Sequence, residues 1–296
     1  MIFIILACCV WSIDTLIRYP LTKQGVGANH IVMMEHLFLA IAFFPQFLKR
    51  RQKFWNAKVS HIFYFLAIGG LGSVVATMAF TQAFNYLNPS IVILFQKLQP
   101  LVAIILARIL LKEKIQNNFL SWAFVCLIGG FLISFEDMRP GFSSLSSISE
   151  LFNSKSIMGY GLTFVAVLGW GSAIVFGKML TNEGYSAVET MTGRFLMGFV
   201  CISIIFFGTN NLLPLNSDIW LKVSIMALLS GAVAMYLYYS GLKLIPARVG
   251  TIAEMFWPLA AIVVNWVFLG ETLGITQIIG GILLILGATM IQIKKY

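Results

Sequence analysis

Six ionisable side chains stand inside stretches otherwise fit for lipid: Asp14, Glu35, His36, Lys97, Arg194 and Glu254. A charge at mid-bilayer costs about 2.5 to 3.5 kcal/mol on insertion scales, so such groups face a bundle interior or a wet cavity. There they can pair with each other, bind a polar solute or carry protons. The spacing suggests that Lys97 pairs with Glu35 or Asp14, and Arg194 with Glu254, each pair flanking a central cavity. Asp14, Glu35, His36 and Arg194 are thus candidates either for ion pairs that fix helix register or for proton coupling.

Two prolines sharpen this reading. Pro100 and Pro258 interrupt apolar runs, and a mid-helix proline leaves the carbonyl four residues back without its donor. Those carbonyls belong to Gln96 and Glu254, so each helix is expected to kink there, exposing an acceptor beside a polar side chain. Lipid penalises that unless a cavity or partner is present. Trp11, Gln96, Lys97, Gln99, Glu254 and Trp257 are therefore the expected solute-binding residues, with Pro100 and Pro258 as hinges. Trp11, Trp170 and Trp257 offer ring faces that can hold a cation, interfacial anchoring being the plainer alternative. Glu113 and Glu271 are expected to complement helix N-termini, and Tyr236, Tyr238 and Tyr239 to form an interfacial belt.

Other chemistry is poorly represented. The chain contains no HExxH, no GxSxG, no aspartate-rich diphosphate motif and no Walker motif. Cys8, Cys9, Cys126 and Cys201 all fall in apolar runs without metal or disulfide spacing. No enzyme activity, metal or cofactor is expected. An intramembrane enzyme acting on a lipid or metabolite, or a channel or lipid-handling scaffold, remains the alternative.

The elements that must position these residues are membrane helices. Hydrophobic residues make up 59% of the 296 and charged ones 10%, far from the balance of a soluble domain. Runs of about 20 apolar residues place ten spans near 2–19, 29–48, 61–87, 89–111, 118–135, 157–180, 187–208, 219–243, 247–269 and 274–293. The net charge of +9 comes largely from Lys and Arg between these runs, which argues against nucleic acid as a partner and for the bilayer. Thirteen of the 20 basic residues fall on the side holding both termini and five, counting Arg18, on the other. By the positive-inside rule both termini face the cytoplasm, and a bacterial inner membrane is the expected location. The oligomeric state is left open, a monomer being compatible with the pattern.

The chain also repeats itself. Trp11 to Leu37 aligns without gaps on Trp170 to Leu196, sharing the tryptophan, Leu21-Thr22 with Leu180-Thr181, Gly25 with Gly184 and Ala28 with Ala187. A second block sets PLVAIILARILLKE at 100–113 on PLAAIVVNWVFLGE at 258–271. The reading is an all-α membrane protein of two five-helix repeats, 1–135 and 157–296, joined by a non-cytoplasmic linker over 136–156. An odd span number inverts the second copy, an arrangement suited to alternating access.

With its ten spans, its paired tryptophans Trp11 and Trp170, the GRFLMG around Arg194 and the doubled P-L-x-A-I…L-x-E blocks, the chain resembles the EamA-type transporters of the drug/metabolite transporter superfamily. It departs from them in carrying Glu35-His36 where the first copy often has Arg. The resemblance implies a secondary transporter, an exporter of a small metabolite such as an amino acid.

Overall fold

The structure is a computed structural model and describes residues 2–112, 118–144, 155–209, 211–214, 216–242 and 256–293. Among these residues, ten helical rods follow one another: α1 Ile2–Lys23, α2 Ala28–Trp55, α3 Val59–Ala83, α4 Pro89–Leu110, α5 Phe119–Ser144, α6 Lys155–Asn182, α7 Ala187–Gly208, α8 Ser217–Tyr238 with its continuation to Leu242, α9 Phe256–Leu269 and α10 Ile275–Ile293. Seven are long and apolar enough to cross a membrane; shorter apolar stretches come from α5 over Phe119–Phe135, from α9 over Phe256–Leu269 and from α10 over Ile275–Ile291. Large aliphatic and aromatic side chains such as Ile204, Phe268, Ile275 and Phe131 lie exposed on the outside. In a bilayer these would meet lipid chains.

Two of the helix ends that differ from the sequence reading matter here. Helix α1 continues past residue 19 to Lys23, which brings Arg18 into the bundle at 4% exposure. Helix α5 runs on to Ser144, into the expected linker; residues 145–154 lie outside the described part. At Pro100 the expected break is present, as a 3-10 turn over Gln96–Leu98 between two α-helical halves of α4. The Gln96 carbonyl is nevertheless not left open. The Gln99 N–H reaches it three residues on, because the tighter turn supplies the donor that proline lacks.

Local geometry recurs in the two halves. Helices α1 and α6 both end in a Schellman turn: the N–H of Gly25 bonds the Thr22 carbonyl and that of Val26 the Leu21 carbonyl, matched by Gly184 to Thr181 and Tyr185 to Leu180. Gly25 and Gly184 both have φ of 84°, a left-handed conformation that glycine adopts without steric cost. Lys112 and Gly270, equivalent in the second block, also share positive φ, 57° and 68°. Helices α3 and α8 each contain a π-helical stretch, Ala67–Val75 and Ala227–Val233, whose wide turns commonly occur at functional sites.

Packing follows small residues. Helix α2 lies on α7 and α5 on α10, while α1 packs against α8 and α9, and α6 against α3 and α4. At the α5–α10 crossing, a Cβ on Gly129 would sit 2.7 Å from the Gly280 carbonyl oxygen, and one on Gly280 2.6 Å from that of Gly129. Only glycine permits so close a backbone approach.

Candidate functional site

A cavity of ≈ 360 Å3 lies among eight of the helices, within the size range of small-molecule sites. Helices α5 and α10 contribute no lining residue among those described. Nine residues expected from the sequence line this one space: Trp11 and Asp14 from α1, Glu35 and His36 from α2, Gln96, Lys97 and Gln99 from α4, Arg194 from α7 and Trp257 from α9. Trp170 of α6 joins them. Glu254, and with it the expected Arg194–Glu254 pair, lies outside the described residues, as does Glu113. The prolines stand back from the cavity, Pro100 opening the second half of α4 and Pro258 buried in the first turn of α9.

The ion pairing differs from the expectation. Both Asp14 and Glu35 are bound by Arg18, not by Lys97. Arg18 Nε donates to Asp14 Oδ2 at 2.7 Å, Nη2 to Asp14 Oδ1 at 3.1 Å and to Glu35 Oε2 at 3.1 Å, and Nη1 to Glu35 Oε2 at 3.1 Å and to Thr81 Oγ1 at 3.1 Å. All five guanidinium N–H groups thus have acceptors. Lys97 goes elsewhere: its side chain is 9% exposed and its Nζ lies 4.9 Å from the centroid of the Trp257 ring, a cation–π contact. The signal for Arg18 was present in the sequence as an i, i+4 spacing from Asp14. Counting Arg18 among the basic residues of the non-cytoplasmic side conceals it.

Arg194 donates through Nε to Ser73 Oγ at 2.6 Å and through Nη2 to the Gly72 carbonyl at 3.2 Å. The π-helical turn of α3 brings both acceptors there. His36 places Nδ1 2.9 Å from the Val32 carbonyl; that nitrogen therefore carries the proton, and Nε2 is left as an acceptor. Trp11 Nε1 donates to the Ser230 carbonyl at 3.0 Å, in the π-helical turn of α8. Its ring packs on Tyr238 at 5.5 Å, so Tyr238 belongs to the interior and not to the belt expected of it; Tyr236 is exposed. Trp170 stacks edge-on with Phe80 at 5.2 Å.

Four buried polar atoms of the lining have no hydrogen-bond partner among the described residues: Gln96 Oε1, Trp257 Nε1, Ser230 Oγ and His36 Nε2. A buried donor or acceptor left open costs about 1–3 kcal/mol, which a protein recovers when a ligand completes the bond. Together the rings and open polar atoms can clasp a flat polar molecule.

A second chamber of ≈ 400 Å3 adjoins the first, sharing Gln99, Trp170, Arg194 and Met235 and extending to Thr181 and Ala187 beside the α6–α7 turn. That turn is tied down by polar contacts. Lys53 donates to Glu189 Oε2 at 2.7 Å, Lys58 to Glu183 Oε2 at 3.0 Å, and His61 Nε2 to the same Glu183 oxygen at 3.1 Å. The hydrogen bond from Lys58, then that from His61, holds the Glu183 carboxyl below its usual range, while burial pushes the Tyr185 hydroxyl up. At the opposite end Glu271 accepts from Tyr19 and from Asn88, so it joins α1 to α4 and does not simply cap a helix.

These features define an all-helical integral membrane protein built around a solute-sized cavity. The chain belongs to the EamA-like transporter family, whose model matches residues 1–135 and 157–293, and is accordingly a transporter and not an enzyme. The riboflavin transporter ImpX of Fusobacterium nucleatum is 30% identical over 99% of this chain and 97% of its own length. The uncharacterized transporter YyaM of Bacillus subtilis is 25% identical over 97% of this chain and 93% of its own. A solved crystal structure superposes with a TM-score of 0.60 at 15% identity, covering 98% of this chain and 95% of that one, which speaks for the fold alone.

Proposed function

We propose that this chain is a secondary carrier that moves a small, flat, polar aromatic solute of the riboflavin kind through the cavity by alternating access. The observation that carries this reading is the cavity wall, where the indoles of Trp11, Trp170 and Trp257 stand among the open polar atoms of Gln96 and Trp257. Stacking on an aromatic ring is worth about 1–3 kcal/mol per base-like ring, and edge hydrogen bonds add direction. The name of the Fusobacterium relative supports the same solute class. An amino acid, as the family resemblance implied, is less well served: the carboxylates that its ammonium would seek, Asp14 and Glu35, are already engaged by Arg18.

The carrier works as two inverted five-helix repeats, 1–135 and 157–296, with both termini cytoplasmic. The exchange of neighbours, α1 with α8 and α9 against α6 with α3 and α4, supports a two-fold relation of the copies. The identical Schellman turns at Gly25 and Gly184 support it too. Trp11, Gln96, Lys97, Gln99, Glu254 and Trp257 bind the solute, Pro100 and Pro258 act as hinges, and Asp14, Glu35, His36 and Arg194 are the ionisable set that serves ion pairing or proton coupling.

The test is counterflow of labelled riboflavin in sealed proteoliposomes. Saturable exchange, competed by unlabelled riboflavin and not by an amino-acid mixture, is expected. Exchange of amino acids without riboflavin would replace this reading with the amino-acid one.

A further inference from the structure

The ungapped repeat places Asp14, Arg18 and Glu35 opposite Ala173, Gly177 and Arg194. The structure gives the two ends of the cavity different contents at these equivalent positions. Where the first copy has Asp14, Arg18 and Glu35, the space is filled by a closed network that joins α1, α2 and α3 through Thr81. Where the second copy has Ala173, Gly177 and Arg194, the same positions line the second chamber. A Cβ on Gly177 would meet nothing within 4 Å. Thr190, from the wall of that chamber, has a buried hydroxyl without a partner among the described residues. Because successive spans alternate in direction, the α1–α2 and α6–α7 turns lie on opposite faces of the membrane.

We infer that the chamber beside the α6–α7 turn is a second subsite for the solute on its way between the central cavity and that face, and that the Asp14–Arg18–Glu35–Thr81 network occupies the equivalent space at the opposite end and holds it shut. This rests on the carrier reading above and adds to it the route and the latch. The solute class is unchanged: Trp170 and Gln99, shared by both chambers, let a flat aromatic pass without losing its stacking face, and Thr190 offers it one further hydrogen bond. Small side chains on one copy leave room for passage. The charged trio on the other converts the same geometry into a closure, because a guanidinium with all five donors engaged by three helices resists their separation.

Two reporters test this. Thr181→Cys sits in the second chamber and Thr77→Cys in the central cavity on α3, and each is read with a membrane-impermeant maleimide applied from either face, relative to the chain carrying only its native cysteines. Thr181→Cys is expected to react from the α6–α7 face and to be protected by riboflavin. Thr77→Cys is expected to be closed to reagent from the α1–α2 face and to open by about tenfold, the factor that loss of a charge-assisted bond carries, in both Asp14→Asn and the milder Thr81→Val. Gly177→Leu, which fills open space, is expected to cut maximal flux severalfold while riboflavin still raises the melting temperature. Unchanged Thr77→Cys labelling in both folded latch variants overturns the latch. Absence of riboflavin protection at Thr181→Cys, or full flux in Gly177→Leu, in a protein that exchanges riboflavin overturns the subsite. If riboflavin is not exchanged at all, the carrier reading fails, and the labelling of Thr77→Cys still decides the latch because it needs no substrate.

Discussion

Replacing Trp257 by phenylalanine separates a solute-binding role from a packing role by the sign of two effects. The indole Nε1 is buried without a partner among the described residues, while the ring face lies under the Lys97 ammonium at 4.9 Å. Phenylalanine keeps the ring face and removes the N–H. In the empty carrier this relieves an open donor that costs about 1–3 kcal/mol, against roughly 1 kcal/mol of apolar contact given up by the smaller ring. The melting temperature of the purified protein without solute is therefore expected to stay level or rise. With solute, the lost hydrogen bond removes about 0.5–1.5 kcal/mol of binding, which weakens riboflavin half-saturation in counterflow by about 2- to 12-fold. Trp257→Ala also removes the stacking face and costs a further ~1–3 kcal/mol. A Trp257→Phe protein that melts several degrees lower and exchanges riboflavin with unchanged half-saturation would refute the reasoning, since that is how a packing tryptophan behaves.

Three further outcomes follow from other parts of the molecule. Gly280→Ala puts a methyl 2.6 Å from the Gly129 carbonyl oxygen and is expected to destabilise the protein by about 1–3 kcal/mol through forced separation of α5 and α10, read as a lower melting temperature. The Glu183 carboxyl is held below its ordinary range by Lys58 and His61, so its contribution is present above that range and lost as pH falls through the lowered value; protection of the amides in the α6–α7 turn, measured as exchange relative to the intrinsic rate at each pH, should fall on acidification in the parent chain, and Glu183→Gln should remove that acid limb. A reporter fused after Lys53 should report a cytoplasmic location, and a location across the membrane would reverse the orientation and exchange the two faces assigned to the latch and the second chamber.

Much of this protein is written in local sequence. Insertion into lipid is judged segment by segment, so apolar runs reveal the ten rods, and the few polar residues inside them reveal themselves by their cost. Seven of those residues, together with Trp11 and Trp257, do meet around one cavity, because lipid leaves the polar ones nowhere else to point. The doubled Leu-Thr-x-x-Gly after each tryptophan also encodes its turn directly: only a left-handed residue closes the Schellman motif, and glycine stands there twice. Pairing between helices is another matter. Whether Asp14 and Glu35 meet Lys97 or Arg18 depends on the azimuth and depth of three helices at once, and no single run of residues carries that information. The same holds for the chamber at Gly177, where a glycine on a helix reads as a packing contact until the fold shows open space beside it. The sequence by itself determined which residues must hide from lipid, since that is a property of each side chain and its neighbours. Only the tertiary structure decided which of them hold each other and which are left facing the cavity, since that depends on how separate helices are set against one another.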